Sequence, residues 1–325
     1  MKRPFLKRKA FLRGLGALAL APAVARGDGY PDKPIRMIVP FAAGGTTDLL
    51  ARALGQHLTQ AWGQTVVCDN RPGANGVIAG EIVAKSPPDG YTLELVAMGH
   101  ATNPLIYKNL PYDTDKDFTP ISLIATYPQL VMVHPSVPAK TLQEFLALAK
   151  KSDPPLTYAS GGNGSSQHLA GALFAHMAGL NMIHVAYKGG NPALQDLMAG
   201  NVSMMIIQPN SPSQVRSGKV RALAVSSKNR SADYPELPTV DEAGVPGYQS
   251  VAWYGLVAPK GLPADLLAKI SAEAMRAGQT EGVKAVVATQ SGVMAASTPQ
   301  AFADFIQSER QRYTDIVREA GMTVE

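Results

Sequence analysis

Twice in this chain a short apolar run passes through a glycine-rich turn into a helix-forming segment, and this unit restricts the fold more than any other feature. The first instance is Ile35 to Pro40 followed by Phe41-Ala42-Ala43-Gly44-Gly45-Thr46-Thr47-Asp48. The second is Leu156 to Ser160 followed by Gly161-Gly162-Asn163-Gly164-Ser165-Ser166-Gln167-His168. Apolar residues then return at helical spacing, as Leu50, Leu54, Leu58 and Ala61 and as Leu169, Leu173 and Met177. Thr46 or Thr47 suits the cap of the first helix, with Asp48 in its first turn, and Ser165 or Ser166 begins the second.

The same grammar predicts strands over 65–68, 91–97, 202–208 and 220–226, and an extended stretch over 123–133 interrupted at Pro128. Helices are predicted over 77–85, after Thr141, from Asn191-Pro192 to Gly200, after Pro263, and from Thr298-Pro299 to Gly321. Alternating strands and helices imply an α/β fold with largely parallel sheet. No long Pro/Gly/Ser linker divides the chain, which favours two lobes joined by more than one crossing strand.

The N-terminus reads as a secretory signal peptide over residues 1–25. Six basic residues (Lys2, Arg3, Lys7, Arg8, Lys9, Arg13) precede an apolar run from Leu15 to Ala21, and Ala23-Val24-Ala25 is an A-x-A cleavage pattern. Lys9 stands where a twin-arginine signal has its second arginine, so the export route stays open. Cleavage removes six of the 30 basic residues and none of the 25 acidic ones, leaving 24 against 25, a net charge of −1. The basic character of the whole chain therefore gives no support to nucleic-acid binding. The lone Cys68 has no disulfide partner and reads as a small residue on a strand.

Both glycine turns lie between strand and helix, where open α/β sheets collect ligands. A helix N-terminus offers unpaired backbone N–H groups and partial positive charge, so each turn is a candidate anion site. Other chemistries fit poorly. Gly44-Gly45-Thr46-Thr47 lacks the lysine of a phosphate-binding loop, and neither turn gives the dinucleotide pattern. No G-x-S-x-G elbow is present, and Ser165 with His168 lacks an evident orienting carboxylate, so no catalytic residue is assigned. His168, His176 and His184 are spaced too widely for one metal if they share a helix, about 12 Å per eight residues. No metal or organic cofactor is implied. His100, just behind a predicted strand, and Gln208, the last residue of another, are further candidates for a ligand wall.

The ordered blocks Pro40-Phe41 to Arg52, Asn70-Arg71-Pro72-Gly73-Ala74-Asn75-Gly76, Pro88-Asp89-Gly90-Tyr91-Thr92-Leu93, Leu110-Pro111-Tyr112-Asp113, Tyr187-Lys188-Gly189-Gly190 and Pro235-Glu236-Leu237-Pro238-Thr239 resemble the solute receptors of tripartite tricarboxylate transporters, the Bug family. The resemblance covers nearly the whole mature length. It implies a two-lobed periplasmic binding protein of the type II, Venus-flytrap class, with hinge-crossing strands. One domain would comprise 29–125 and 254–325, and the other 126–253. It implies a monomer in the periplasm that catalyses nothing and passes a small organic carboxylate (a di- or tricarboxylate, an amino acid or an aromatic acid) to membrane subunits. Phe41, Ala42, Gly44, Gly45, Thr46 and Asp48, and Gly162, Asn163, Gly164, Ser165 and His168, are the implied ligand-binding positions. Ala42-Ala43 departs from the family, which often has proline after the phenylalanine. A ligand sensor feeding a membrane signalling protein, and a periplasmic carboxylate-ester hydrolase, are the alternative readings.

Overall fold

The computed structural model describes Met1 and residues 29–208, 215–319 and 322. The expected signal peptide and the expected helix end at Gly321 lie outside these residues. Residues 31–325 form one compact unit.

The chain first lays down β1 (Ile35–Val39), α1 (Thr46–Trp62), β2 (Val66–Asn70), α2 (Val77–Ala84), β3 (Thr92–Ala97), α3 (Gly99–Ile106) and β4 (Phe118–Pro128). It continues through β5 (Leu130–Val133), α4 (Leu142–Ala149), β6 (Thr157–Ser160), α5 (Ser166–Met177), β7 (Ile183–Ala186), α6 (Gly190–Ala199), β8 (Met204–Ile207) and β9 (Arg221–Val225). It ends with β10 (Val251–Pro259), α7 (Ala264–Ala277), α8 (Glu281–Ala288), β11 (Val293–Met294) and α9 (Pro299–Glu319).

Two sheets result, one ordered β11-β4-β10-β3-β1-β2 and the other β7-β6-β8-β5-β9. Each is mixed rather than largely parallel. β1 runs parallel to β2 and β3, and β6 parallel to β7 and β8, as strand–turn–helix units require. The strands that carry the chain between sheets run the other way. β10 is antiparallel to both β3 and β4, and β5 to both β8 and β9. The expected boundaries at 125/126 and 253/254 fall inside strands, because residues 126–128 and 251–253 pair within the first sheet.

The two crossings are tied to each other. Ser226 N–H donates to the Gln129 carbonyl at 2.8 Å, Gln129 N–H to Ser226 Oγ at 2.9 Å, and Ser250 N–H to the Ser226 carbonyl at 2.9 Å. All three residues are fully buried, and Tyr313 of α9 reaches Ser250 Oγ at 3.0 Å. Pro128 cannot donate to a ladder, and the sheet changes immediately after it. Apolar packing completes the frame. Phe302, Ile306, Tyr313, Ile316 and Val317 of α9 are buried as their helical spacing predicts. Phe302 meets Trp253 edge-to-face, and Gly255 makes room for it: a Cβ there would stand 2.1 Å from the Phe302 ring.

Several local expectations shift. Gly45, not a threonine, caps α1, since Thr46 is already helical. Thr141 and Ser165 cap α4 and α5 through their hydroxyls as expected. α6 starts at Gly190 with Gly189 as its cap, so Asn191-Pro192 falls inside the first turn. α3 carries Pro104 and no helical signal that propensity reveals; it exists because Ala101 and Ile106 are buried in the core.

Candidate functional site

Four helices begin at one cleft. The chain leaves β1, β3, β6 and β7 at their carboxyl ends, turns, and enters α1, α3, α5 and α6. Gly45 and Thr46, Met98 and Gly99, Ser165 and Ser166, and Gly189 and Gly190 all line the same cavity of about 330 Å³. An adjoining space of about 500 Å³ shares Gly45, Thr46, Ser166, Gln167, Gly189 and Gly190 with it. First-turn N–H groups have no helical partner by position, and each N-terminus carries partial positive charge, so their convergence favours an anion without arginine. Lys188 adds a cationic side chain, and Phe41 and Tyr254 supply apolar surface.

The first turn is fastened from behind. Asp48 is 2% exposed and points away from the cleft. Its carboxylate accepts from Gly44 N–H at 2.9 Å, Arg52 Nε at 2.9 Å and Asn70 Nδ2 at 3.0 Å. Asn70 also donates to the Phe41 carbonyl at 2.9 Å. Burial alone would raise the Asp48 pKa, but Arg52, Gly44 and Asn70 outweigh it and hold the carboxyl below its ordinary value.

The second turn rests on neutral rings. Gly164 N–H donates to His168 Nδ1 at 3.1 Å, while Ser165 Oγ accepts from His168 N–H at 3.3 Å. The His168 ring stacks on His184, centroids 3.8 Å apart, and His184 Nε2 meets Ser160 Oγ at 2.7 Å. Ser160 Oγ in turn accepts from Gly162 N–H at 3.1 Å. Burial, and then His184, pull the His168 pKa down to about 4, so the ring is neutral and Nδ1 is free to accept. His176 lies apart and pairs with Glu319 at 3.1 Å, so the three histidines do not converge.

Among the described residues, side-chain contacts also bridge the cleft. Asn75 Nδ2 donates to the Gly164 carbonyl at 3.0 Å and to Asn103 Oδ1 at 3.1 Å, while Asn103 Nδ2 donates to the Asn75 backbone carbonyl at 3.1 Å. On the other side, Gln290 Oε1 accepts from Thr46 Oγ1 and from Gln208 Nε2, both at 2.5 Å.

Of the residues singled out from sequence, Phe41, Gly44, Gly45, Thr46, Ser165 and Gln208 line the cleft. Asp48, Gly164 and His168 act on the turns as described, and Ala42, Gly162 and Asn163 lie within the turns without forming the lining. His100 does not face the cleft; it is buried against Phe118 and borders a separate small chamber. Sequence reasoning missed Asn75, Gln129, Gln167, Lys188 and Gln290, and it treated the Gly189-Gly190 turn only as a mark of resemblance. That turn carries the same signal as the other two, a glycine pair between strand and helix.

Two sheets joined by crossing strands, with a donor-lined cleft at their facing strand ends, define a two-lobed solute-binding protein. A family model described as the tripartite tricarboxylate transporter family receptor (TctC) matches residues 50–322, and the chain belongs to this family of binding receptors. Protein BugT of Bordetella pertussis is 35% identical over 314 residues, covering 94% of each chain. Among solved structures, an R. palustris protein with adipate is similar at 35% identity and a TM-score of 0.81, covering 90% of this chain and 98% of that one. MatC from Rhodopseudomonas palustris, with bound malate, is similar at 32% identity and a TM-score of 0.78, covering 89% and 100%.

Proposed function

We propose that the protein is a periplasmic receptor that captures a small organic acid between its lobes and delivers it, chemically unchanged, to the membrane subunits of a tripartite transporter. The observation that carries this reading is the convergence of four helix N-termini on one cleft. A carboxylate is met there by oriented backbone donors, which bind an anion without offering a nucleophile or general base. Adipate and malate in the two related structures are acids of the size the cleft admits. The lobes follow the sheets, and the paired crossings at Gln129, Ser226 and Ser250 form the hinge on which they close. Asn75 and Gln290 bond across the cleft only when it is closed.

Titration calorimetry of the mature protein with adipate, malate, citrate, aspartate, glutamate and aromatic acids tests the proposal. Saturable binding of at least one acid, lost when its carboxylate is replaced by a carboxamide, is the expected result. Equal binding of the amide rejects the anion site, and turnover of the bound acid rejects the receptor reading.

A further inference from the structure

Behind the wall of the first lobe lies a second, far smaller chamber. Glu94 of β3 lines it, with His100 and Asn103 of α3, Tyr112, Phe41 and Asn75. Phe41, Asn75, Ala97 and Gly99 also line the ligand cleft, so the two spaces adjoin. The chamber measures about 10 Å³. By this measure a single water needs about 10–15 Å³.

Glu94 is out of place in its surroundings. It stands between Leu93 and Leu95 on a central strand, on the opposite face from them, and is 2% exposed. Its Oε2 meets no protein donor. The nearby amide is already engaged, since Asn103 exchanges hydrogen bonds with Asn75. Burial pushes the Glu94 carboxyl up to about 8 and holds His100 down to about 4, so near neutral pH both groups are uncharged. A neutral carboxyl still needs a donor for its acceptor oxygen, and an orphaned buried oxygen is costly. The small polar chamber is where that donor fits.

We propose that this chamber is a distinct binding site for one water-sized hydroxyl donor, held by Glu94 beneath the wall of the ligand cleft. The donor is either a solvent water or a hydroxyl of the acid in the cleft. The site itself rests on the geometry around Glu94; only the second source rests on the cleft being an acid site.

Crystal structures at about 1.5 Å, where ordered water is visible, test it. The wild-type protein is solved alone, with succinate, and with malate, which adds one hydroxyl to the same skeleton. Alone and with succinate, density is expected about 2.6–3.2 Å from Glu94 Oε2. With malate, separate density identifies solvent as the donor, and density continuous with the ligand identifies the ligand hydroxyl. Glu94→Gln keeps an acceptor and is expected to retain the density, whereas Glu94→Met is expected to lose it. A dry chamber in every wild-type crystal overturns the proposal, as does density that persists in Glu94→Met. If Glu94→Met does not fold, the wild-type crystals still decide. Failure of both acids to enter the cleft counts against the acid-receptor reading, while the ligand-free crystal still decides the chamber.

Discussion

Asp48 fastens the first glycine turn as an anion, through Gly44, Arg52 and Asn70, whereas His168 and His184 fasten the second as neutral stacked rings. The turns face each other across the cleft and offer the same backbone chemistry. They differ in what each needs from pH, so the same pair of loops fails by two routes. An ionised clamp survives until its carboxylate is protonated. An imidazole that accepts from a backbone N–H fails once that nitrogen takes a proton and both groups become donors.

The largest effect is expected from breaking the first clamp outright. Asp48→Ala leaves Gly44 N–H and one of the two Asn70 amide hydrogens without an acceptor, at about 1–3 kcal/mol for each donor that water cannot reach. The Arg52 side chain is 53% exposed, so its ion pair adds little. A loss of stability of about 2–4 kcal/mol is expected, with affinity falling on the order of a hundredfold. Denaturant melts and calorimetry check both. Asp48→Ala with wild-type affinity would show that the first turn holds its shape unaided.

Acid should separate the turns next. His168 is held at about 4 in the fold against an ordinary 6.5, so the unfolded chain binds protons first as pH falls below 6.5. Stability contributed by the neutral ring is complete above pH 6.5 and is lost progressively toward pH 4, by about 3 kcal/mol. Asp48 is held below its ordinary 3.8, so its contribution persists until pH falls beneath the usual carboxylate value. Thermal melts between pH 7 and 4 are therefore expected to slope downward in the wild type. In His168→Asn, whose side-chain oxygen can accept from Gly164 without titrating, the slope should be shallower. An equal slope in both would move the acid sensitivity away from the second turn.

How much of this was legible in the sequence follows from how local each feature is. The two glycine turns, the strands before them and the helices after them are set by residues next to one another, so pattern and turn chemistry found them. The third turn was misplaced because Asn191-Pro192 resembles a cap and first helical position, yet Gly189 at φ +123 lets the helix begin two residues sooner. Asn75 was hidden differently. Gly73, Ala74, Asn75 and Gly76 all have positive φ, and only packing against Gly99 and Asn103 reveals why that strained run is kept. Glu94 could be read as an anomaly between leucines, but its chamber could not. Gln290 gave no local sign at all, since it meets Thr46 from 244 residues away.

Asn75 sharpens the comparison because it joins the lobe of the first turn to the second turn itself. Asn75→Gly keeps the left-handed backbone available while deleting the amide that bonds Gly164. The closed form loses one interlobe hydrogen bond and the bond from Asn75 Nδ2 to Asn103, so affinity should fall about tenfold, near 1.4 kcal/mol. The loss should lie chiefly in a faster dissociation rate, measured by stopped flow. Unchanged dissociation would mean that Asn75 only shapes its own loop.

Gln290→Ala attacks the other clasp and should cost less. Its carbonyl oxygen is shared by Thr46 and Gln208, but all three residues are half-buried, and water can take its place at both donors. A several-fold loss of affinity is expected, about 0.5–1 kcal/mol. The double variant with Asn75→Gly makes this informative. Both clasps exist only with the lobes together, so if they hold the ligand-free lobes mostly closed, the double variant should lose more affinity than the two single costs summed. The ligand-free double variant should also expand in solution, read as a larger radius of gyration by X-ray scattering. Costs that add without any expansion would assign Gln290 and Asn75 to direct ligand contact and leave closure to the hinge.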